Sequence, residues 1–280
     1  MSFEPRAPRD DVNVSPTHPL VEAGWLVAAA LLAGVLLAFL AFGATEIVSR
    51  WLPADVETRI FAPAFDAVAG AAAPEETPRV AAARDLLARL AAHWPENPYR
   101  FRVIAVDAPE PNAFALPGGG IALTTGLLDQ VESENELAFV LAHEIGHFSA
   151  RDHLRGLGRG LILGLLLQGI GGFGASDAVP SLASDLASRS FARDQERSAD
   201  AFALDLVAAE YGHAGGADRF FGRLPDAEAQ LGDRAAVWFR THPLTEARIQ
   251  ALRDRAAARG LALEGEVRPF PPGEPGETVP

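Results

Sequence analysis

The stretch "LAHEIGHFSARDH" (141–153) carries two histidines four residues apart, with a glutamate directly after the first. Apolar residues recur at helical spacing around it, which predicts a helix. Because residues i and i+4 share one face of a helix, His143 and His147 can present two imidazole nitrogens to one cation. Glu144 lies at the adjacent angle, suited to reach a metal-bound water. The H-E-x-x-H pattern indicates zinc activation of water with the glutamate as general base, the alternative being two histidines hydrogen-bonded in a core.

A catalytic zinc needs a third protein ligand, which the two histidines do not supply. The best candidate lies in "SRSFARDQERSADAFALDLVAAE" (188–210), where apolar residues again recur at helical spacing. Glu196 and Asp200 are four residues apart in this stretch and share one helix face. Glu196 as ligand and Asp200 as hydrogen-bond partner of a ligand histidine would complete the site. The alternative is a solvated acidic face that pairs with nearby arginines.

Composition narrows the classes of function. The formal net charge is −13, and all 24 basic residues are arginine. A nucleic-acid partner is not expected, because phosphate binding needs clustered positive charge. The chain has no cysteine, which excludes disulfides, thiolate metal sites and cysteine nucleophiles. Any metal must therefore be held by His, Asp or Glu.

Four motifs occur in a fixed order along the chain. They are "NAFALPGGGIALTTGLL" (112–128), "HEIGH" (143–147), "ERSAD" (196–200) and "THPLTEAR" (241–248). Over roughly residues 79–260 the chain thereby resembles the M48 family of zinc metalloendopeptidases, whose members include membrane quality-control proteases.

The resemblance implies a fold and a set of site residues. The fold is α+β, a predominantly helical zincin-like metalloprotease domain with a small sheet. His143, His147 and Glu196 correspond to the ligands of one zinc ion per chain, and Glu144 corresponds to the general base. Asp200 corresponds to the carboxylate behind the ligands.

The first and last motifs carry further expectations from the same resemblance. The strand that begins at "NAFA" would line the cleft, so that a peptide adds to it through main-chain hydrogen bonds. The substrate-binding residues expected there are Asn112, Ala113, Phe114 and Ala115. His242 is similar to a family histidine near the metal, where it could stabilise the oxyanion or cap the idle zinc, and Arg248 could support it. The alternatives are an ordinary sheet edge, a loop histidine and a helix arginine.

An uncharged apolar run predicts a transmembrane helix over residues 23–45, because about 20 helical residues span a hydrocarbon core of about 30 Å. A buried core helix would show a polar face, which this run lacks. A cleaved signal peptide would have a shorter apolar region and a positively charged start. We therefore expect a retained single-pass anchor that contacts membrane lipid. A flexible tail over residues 1–22 precedes it.

The remaining boundaries follow from composition and periodicity. Residues 46–78 contain several prolines and are expected to form a juxtamembrane linker. The metallopeptidase domain is expected over 79–262, and a disordered tail over 263–280. Within the domain we expect a helix over 78–95, a strand over 99–107, a hairpin in the first motif and a helix that begins at Ser133. Ser133 and Glu136 have the spacing of a capping box.

A second apolar segment, Leu157–Gly174, is too short and glycine-rich for two crossings. A single crossing would separate His147 from Glu196 on opposite sides of the membrane. The segment is expected to lie against the bilayer surface and bring the active site close to it, or alternatively to pack as a mobile cover or a core helix.

Together these features predict a membrane-anchored zinc metalloendopeptidase that acts on unfolded or membrane-associated polypeptides. A catalytically silent, chaperone-like binding protein on the same fold is the alternative, and a zinc-independent membrane scaffold is a third reading. The arginine counts on the two sides of the span are nearly equal. By resemblance to bacterial single-anchor members, the catalytic domain is expected on the periplasmic side of the inner membrane, with the cytoplasmic side open.

Overall fold

A computed structural model of the chain describes residues 18–71, 77–156, 158, 191–215, 241–242 and 246–272. It divides into two compact units, residues 1–44 and 45–280. Helix α1 (Pro19–Trp51) begins in the first unit and ends in the second.

The described part of the first unit is a single apolar helix. Over its 33 residues α1 would be about 50 Å long, and its most apolar window has a mean hydropathy of 2.6. Large apolar side chains are exposed along it, among them Trp25 and Phe39. Among the described residues, α1 alone has the length and composition to cross a membrane. The predicted span, 23–45, lies within it.

The second unit contains a small mixed sheet. Its strands are β1 (Arg102–Val106), β2 (Ala113–Leu116) and β3 (Gly120–Thr124), in the order β1-β3-β2. The central strand β3 is parallel to β1 and antiparallel to β2. Gly118 and Gly119 in the β2–β3 turn have φ values of +88° and +90°, a backbone region that glycine adopts without strain. The predicted hairpin is therefore present.

The described helices of the second unit pack against the sheet or against one another. They are α2 (Ala54–Ala71), α3 (Pro78–Ala92), α4 (Thr125–Gln130), α5 (Glu134–Ser149), α6 (Arg193–Tyr211) and α7 (Glu246–Ala258). Helix α5 is central, because every residue from Asn135 to Phe148 is buried. It begins as the capping signal predicts, with the Ser133 hydroxyl accepting from the Glu136 N–H. The predicted α+β class, mostly helical with a small sheet, is confirmed.

A glycine lets α5 and α6 approach each other closely. A Cβ added to Gly146 would lie 2.8 Å from the Cα of Ala199, well inside van der Waals contact. Only glycine at this position allows the backbones to pack at this distance. The "HEIGH" and "ERSAD" motifs are therefore held face to face.

Two segments that the sequence predicts to be a linker and a disordered tail need correction. Residues 46–78 are not a simple linker, because they include α2, whose Glu57 and Phe65 are buried in the second unit. Part of the predicted disordered tail is packed as well. Phe270 is buried in the core, and the side chain of Asn135 bonds both the N–H of Arg268 and the carbonyl of Glu266. Proline and glycine content hid these contacts, which depend on long-range partners.

Residues 273–280 lie outside the described part of the chain. So does the second apolar segment, Leu157–Gly174, apart from Gly158. Its proposed contact with lipid therefore stays a prediction.

Candidate metal centre

Four side chains from three separate stretches converge in the second unit. They are His143, His147, Glu196 and His242, all buried, with one potential ligand atom of each within 4.8 Å of the others. Helix α5 supplies the first two on one face, as their spacing predicts. Helix α6 supplies the glutamate across the close contact at Gly146.

The distances between the donor atoms have a regular pattern. Nε2 of His143 lies 3.1 Å from Nε2 of His147 and 3.2 Å from Nδ1 of His242. Oε1 of Glu196 lies 3.1 Å from Nδ1 of His242 and 3.5 Å from Nε2 of His147. Two ligands of a tetrahedral zinc ion, each about 2.05 Å from the metal, are about 3.3 Å apart. These four separations are close to that value, and all four donor atoms lie within 4.8 Å of one another, so one small cation fits among them.

Carboxylates orient both α5 histidines from behind. Oδ1 of Asp200 lies 3.0 Å from Nδ1 of His143, as the motif spacing predicts. Oδ2 of Asp152 lies 3.1 Å from Nδ1 of His147, a contact that the sequence did not predict. Each carboxylate favours the tautomer whose Nε2 lone pair points inward, which is the arrangement typical of metal-binding histidines. Gln195 and Arg155 hold Asp152 in turn.

Arg248 joins the two carboxylates of α6. Its Nε and Nη2 donate to the two oxygens of Asp200, both at 2.7 Å. Its Nη1 lies 2.6 Å from Oε2 of Glu196. We expected Arg248 to support His242, whereas these contacts place its charge on Asp200 and Glu196. The bidentate geometry fixes both side chains.

The electrostatic field at the centre favours positive charge. Burial lowers the pKa of His143, but Asp200 and Glu196 outweigh this effect and raise the pKa to about 10. The balance has the same sign at His147, where Asp152 and Glu196 raise the pKa against burial. The three histidines hold the pKa of Glu196 far below its ordinary value despite burial. A field that attracts protons to these imidazoles also attracts a divalent cation, which would displace them.

Glu144 lies beside the four donors with a different environment. Burial raises its pKa to about 7, against the opposing effects of His147 and His143 and the backbone N–H of Ala115. Neither carboxylate oxygen has a well-formed hydrogen bond to the described residues. Its Oε1 lies 3.5 Å from Nε2 of His242. A carboxylate with a pKa near 7 can both accept and donate a proton at neutral pH.

Two aromatic rings complete the walls of the centre. His242 is fully buried, and burial lowers its pKa to about 3. The ring of Phe191 stacks on the ring of His147, with centroids 3.9 Å apart. The backbone N–H of Phe191 donates to the carbonyl of Thr241. Phe191 lies just before α6, and no pattern in the sequence predicted its contact with a candidate ligand.

The strand predicted to bind substrate lies next to this centre. Asn112 precedes β2, and Ala113, Phe114 and Ala115 belong to it. β2 is at one edge of the sheet as far as it is described. All four residues are buried, with at most 8% exposed. A peptide could therefore pair with this edge only after the residues that cover it move.

The donors present suit zinc by their chemistry as well as their spacing. Three imidazoles and one carboxylate are nitrogen and oxygen ligands of the type that zinc accepts. The Nδ1 atoms of His143 and His147 already face carboxylates. Arg248 balances the negative charge of the two α6 carboxylates that it contacts. The residues therefore fit a zinc ion in both the type and the spacing of their ligand atoms.

A comparison with protein families matches residues 74–256 to Peptidase family M48. The chain belongs to peptidase family M48. The matched region covers α3 through most of α7 and includes every residue of the candidate metal centre. The predicted family is thus confirmed, together with its metallopeptidase class.

Curated relatives of this M48 chain come from bacteria and mitochondria. A putative beta-barrel assembly-enhancing protease of Vibrio cholerae is 34% identical over 159 residues, which are 52% of this chain and 32% of the relative. The mitochondrial metalloendopeptidase OMA1 of Arabidopsis thaliana is 32% identical over 54% of this chain and 31% of its own length. The metalloprotease LoiP of Escherichia coli is 29% identical over 55% of this chain and 62% of its own length. The similarity thus spans less than two thirds of each of these relatives.

Proposed function

We propose that this M48 chain is a membrane-anchored, zinc-dependent endopeptidase. One observation carries the proposal, namely the convergence of His143, His147 and Glu196 at zinc-ligand spacing beside the buried Glu144. Family membership and the names of the metalloprotease relatives support it. A bound zinc ion would supply Lewis acidity that lowers the pKa of water and polarises a peptide carbonyl.

The side chains of the centre have separate tasks in this proposal. Glu144 accepts a proton from the attacking water and delivers it to the leaving amine, for which a pKa of about 7 is suited. Asp200 and Asp152 hold the rings of His143 and His147 in their binding orientation.

His242 has a role that depends on the state of the enzyme. With its Nδ1 among the other donor atoms, His242 would be a fourth ligand of a bound zinc ion, where water or substrate would otherwise bind. We propose that this is a resting arrangement and that His242 moves when substrate binds. Its Nε2 would then be available to stabilise the oxyanion of the tetrahedral intermediate.

Polypeptides in extended conformation are the proposed substrates. A peptide would add to the edge of β2 and be held by main-chain hydrogen bonds, which demand little of its sequence. Unfolded or membrane-associated proteins offer such segments. The burial of β2 means that the cleft must open first, in step with the movement of His242.

The apolar helix α1 supports a membrane location. Its length and its exposed apolar side chains are those of a single-pass anchor. We propose that residues 23–45 span the inner membrane and that the catalytic domain lies on the periplasmic side. A reporter enzyme fused at either terminus would test this orientation.

Replacement of Glu144 by Gln tests the function directly. The variant should lose activity on an unfolded casein substrate by at least about 10²–10⁴-fold, the usual contribution of a general base. Its zinc content and thermal unfolding should match the wild type, because the amide keeps the shape of the carboxylate. Equal cleavage by both proteins would refute the assignment, and no cleavage by zinc-loaded wild type would favour a silent binding protein.

A further inference from the structure

Glu57 is a buried carboxylate on α2, outside the four motifs and in the stretch expected to be a linker. It is fully buried. Its Oε1 lies 2.8 Å from Nε2 of His153, and its Oε2 lies 3.7 Å from Nη1 of Arg151. Glu57 therefore holds both residues that flank Asp152, the carboxylate behind the candidate ligand His147.

The turn that presents Asp152 has an uncommon backbone conformation. Arg151 has a φ of +57°, in the left-handed region that residues other than glycine and asparagine rarely adopt. Its guanidinium donates to the carbonyl of Leu52, which follows α1. This bond and the contact with Glu57 stabilise a turn that places Asp152 beside His147.

The same carboxylate also holds the hairpin that carries the candidate substrate strand. Oε1 of Glu57 accepts the N–H of Gly118 at 2.7 Å, and Oε2 accepts the hydroxyl of Tyr99 at 3.0 Å. A Cβ at Gly118 would lie 3.3 Å from the Cα of Thr58, so α2 packs directly on the β2–β3 turn. Glu57 thus ties together the strand β2 and the turn of Asp152.

A second tie runs from the end of α1 to the same turn. Nη1 of Arg155 lies 3.1 Å from Oδ1 of Asp152, and its Nε lies 3.0 Å from Oε2 of Glu46. Glu46 follows directly after the proposed span of residues 23–45. The stretch 46–57 is therefore bonded to the metal centre's supporting residues at several points.

We infer that Glu57 is a positioning residue of the active site, which sets Asp152, and through it His147, in register with strand β2. The inference rests on the proposed function. It makes the stretch after the anchor a part of the catalytic scaffold. Through its two oxygens this one side chain contacts an imidazole, a backbone N–H and a hydroxyl, so its removal breaks all three links.

The test measures zinc release rather than cleavage. The 280-residue chain, in detergent micelles, is loaded with Zn²⁺ and mixed with excess chromogenic chelator. Asp152→Asn should release zinc about 10–100-fold faster than wild type, the usual effect of a lost partner of a ligand histidine. Glu57→Ala should accelerate release about 3–10-fold for the same reason, at a smaller magnitude because it acts through the turn.

The double variant separates positioning from general stability. If Glu57 acts through Asp152, Glu57→Ala combined with Asp152→Asn should release zinc no faster than Asp152→Asn alone. Glu57→Gln keeps an oxygen towards His153 and Gly118 and should restore slow release. Asp55→Asn is the matched control, because Asp55 lies exposed on the same helix and pairs with Arg59. It should behave as wild type.

Two results would overturn the inference. One is release at the wild-type rate from folded Glu57→Ala protein, and the other is multiplication of the two effects in the double variant. If Glu57→Ala does not fold, His153→Ala breaks the same link from the other side and the same two criteria apply. Release is measured without substrate, so its interpretation does not depend on peptide cleavage. A wild type that binds zinc but cleaves no peptide would refute the proposed function without affecting the test of Glu57.

Discussion

Replacement of Gly146 by Ala should weaken metal binding even though alanine favours helix formation. The added Cβ would lie 2.8 Å from the Cα and 2.9 Å from the carbonyl oxygen of Ala199. Ordinary carbon contacts are about 3.5–4.0 Å, so α5 and α6 must separate by roughly 0.7–1.2 Å. Both atoms met are backbone, which leaves no side chain to rotate away.

That separation moves Glu196 away from the histidines of α5. Metal–ligand distances tolerate only about ±0.2 Å, so the displacement is several times the tolerance. We expect zinc affinity to fall by at least about tenfold, the lower end of the losses seen when only the support of a ligand is removed. Stability without metal should change less, since a helix-propensity gain of about 1 kcal/mol opposes an overpacking cost of about 1–3 kcal/mol.

The assay is chelator competition for Zn²⁺, together with thermal unfolding of the metal-free and metal-loaded forms. Gly34→Ala is the matched control, because a Cβ at Gly34 meets nothing within 4 Å. It should leave zinc affinity unchanged. Wild-type zinc affinity in Gly146→Ala would refute the reasoning that the close α5–α6 contact sets the position of Glu196.

Other changes test the surrounding structure. Arg248→Met should lower the free energy of unfolding by about 3–5 kcal/mol in urea, because it removes the buried cation that Asp200 and Glu196 share, and a loss below about 1 kcal/mol would contradict this. Phe270→Ala should lower the free energy of unfolding by about 3 kcal/mol, because the structure buries this ring in the core, and an unchanged unfolding midpoint would contradict that packing. Burial raises the pKa of Glu57, but His153, Gly118 and Tyr99 outweigh it and hold the pKa below 4.5. The stability contributed by ionised Glu57 is therefore present above that pH and lost as the pH falls through the lower folded-state pKa. The stability difference between wild type and Glu57→Gln should shrink as the pH falls below about 4.5, and a constant difference from neutral to acidic pH would count against it.

Periodic features of the sequence predicted much of the fold and the centre of the site. Two side chains four residues apart on a helix share a face whatever the rest of the chain does, so His143 with His147 and Glu196 with Asp200 could be paired in advance. Motif order then predicted that these two helices meet. The hairpin was predictable from local residue type, since glycine adopts the positive φ values that a tight turn needs and a Pro-Gly-Gly-Gly run interrupts regular elements.

The residues that escaped prediction act through irregular backbone or long-range contacts. Asp152 reaches His147 only because Arg151 adopts a left-handed conformation, which its residue type does not indicate. Glu57 lies 61 residues from Gly118 in the chain, and no local pattern marks a buried carboxylate among proline-interrupted helices. Phe270 lies in a proline-rich stretch whose composition resembles a tail, while its burial depends on a core assembled elsewhere.

The donors of the metal centre are far apart along the chain. His147 and Glu196 are 196 − 147 = 49 residues apart, and Glu196 and His242 are 46 apart. A shared cation would thus cross-link the chain across two long connections. The entropy of closing such a connection grows slowly, by about 0.6 kcal/mol for each doubling of length. Insertions and deletions between the motifs should therefore change the stability of the metal centre only slightly. These connections can vary in length, and so adapt to new substrates, while the ligands stay in place.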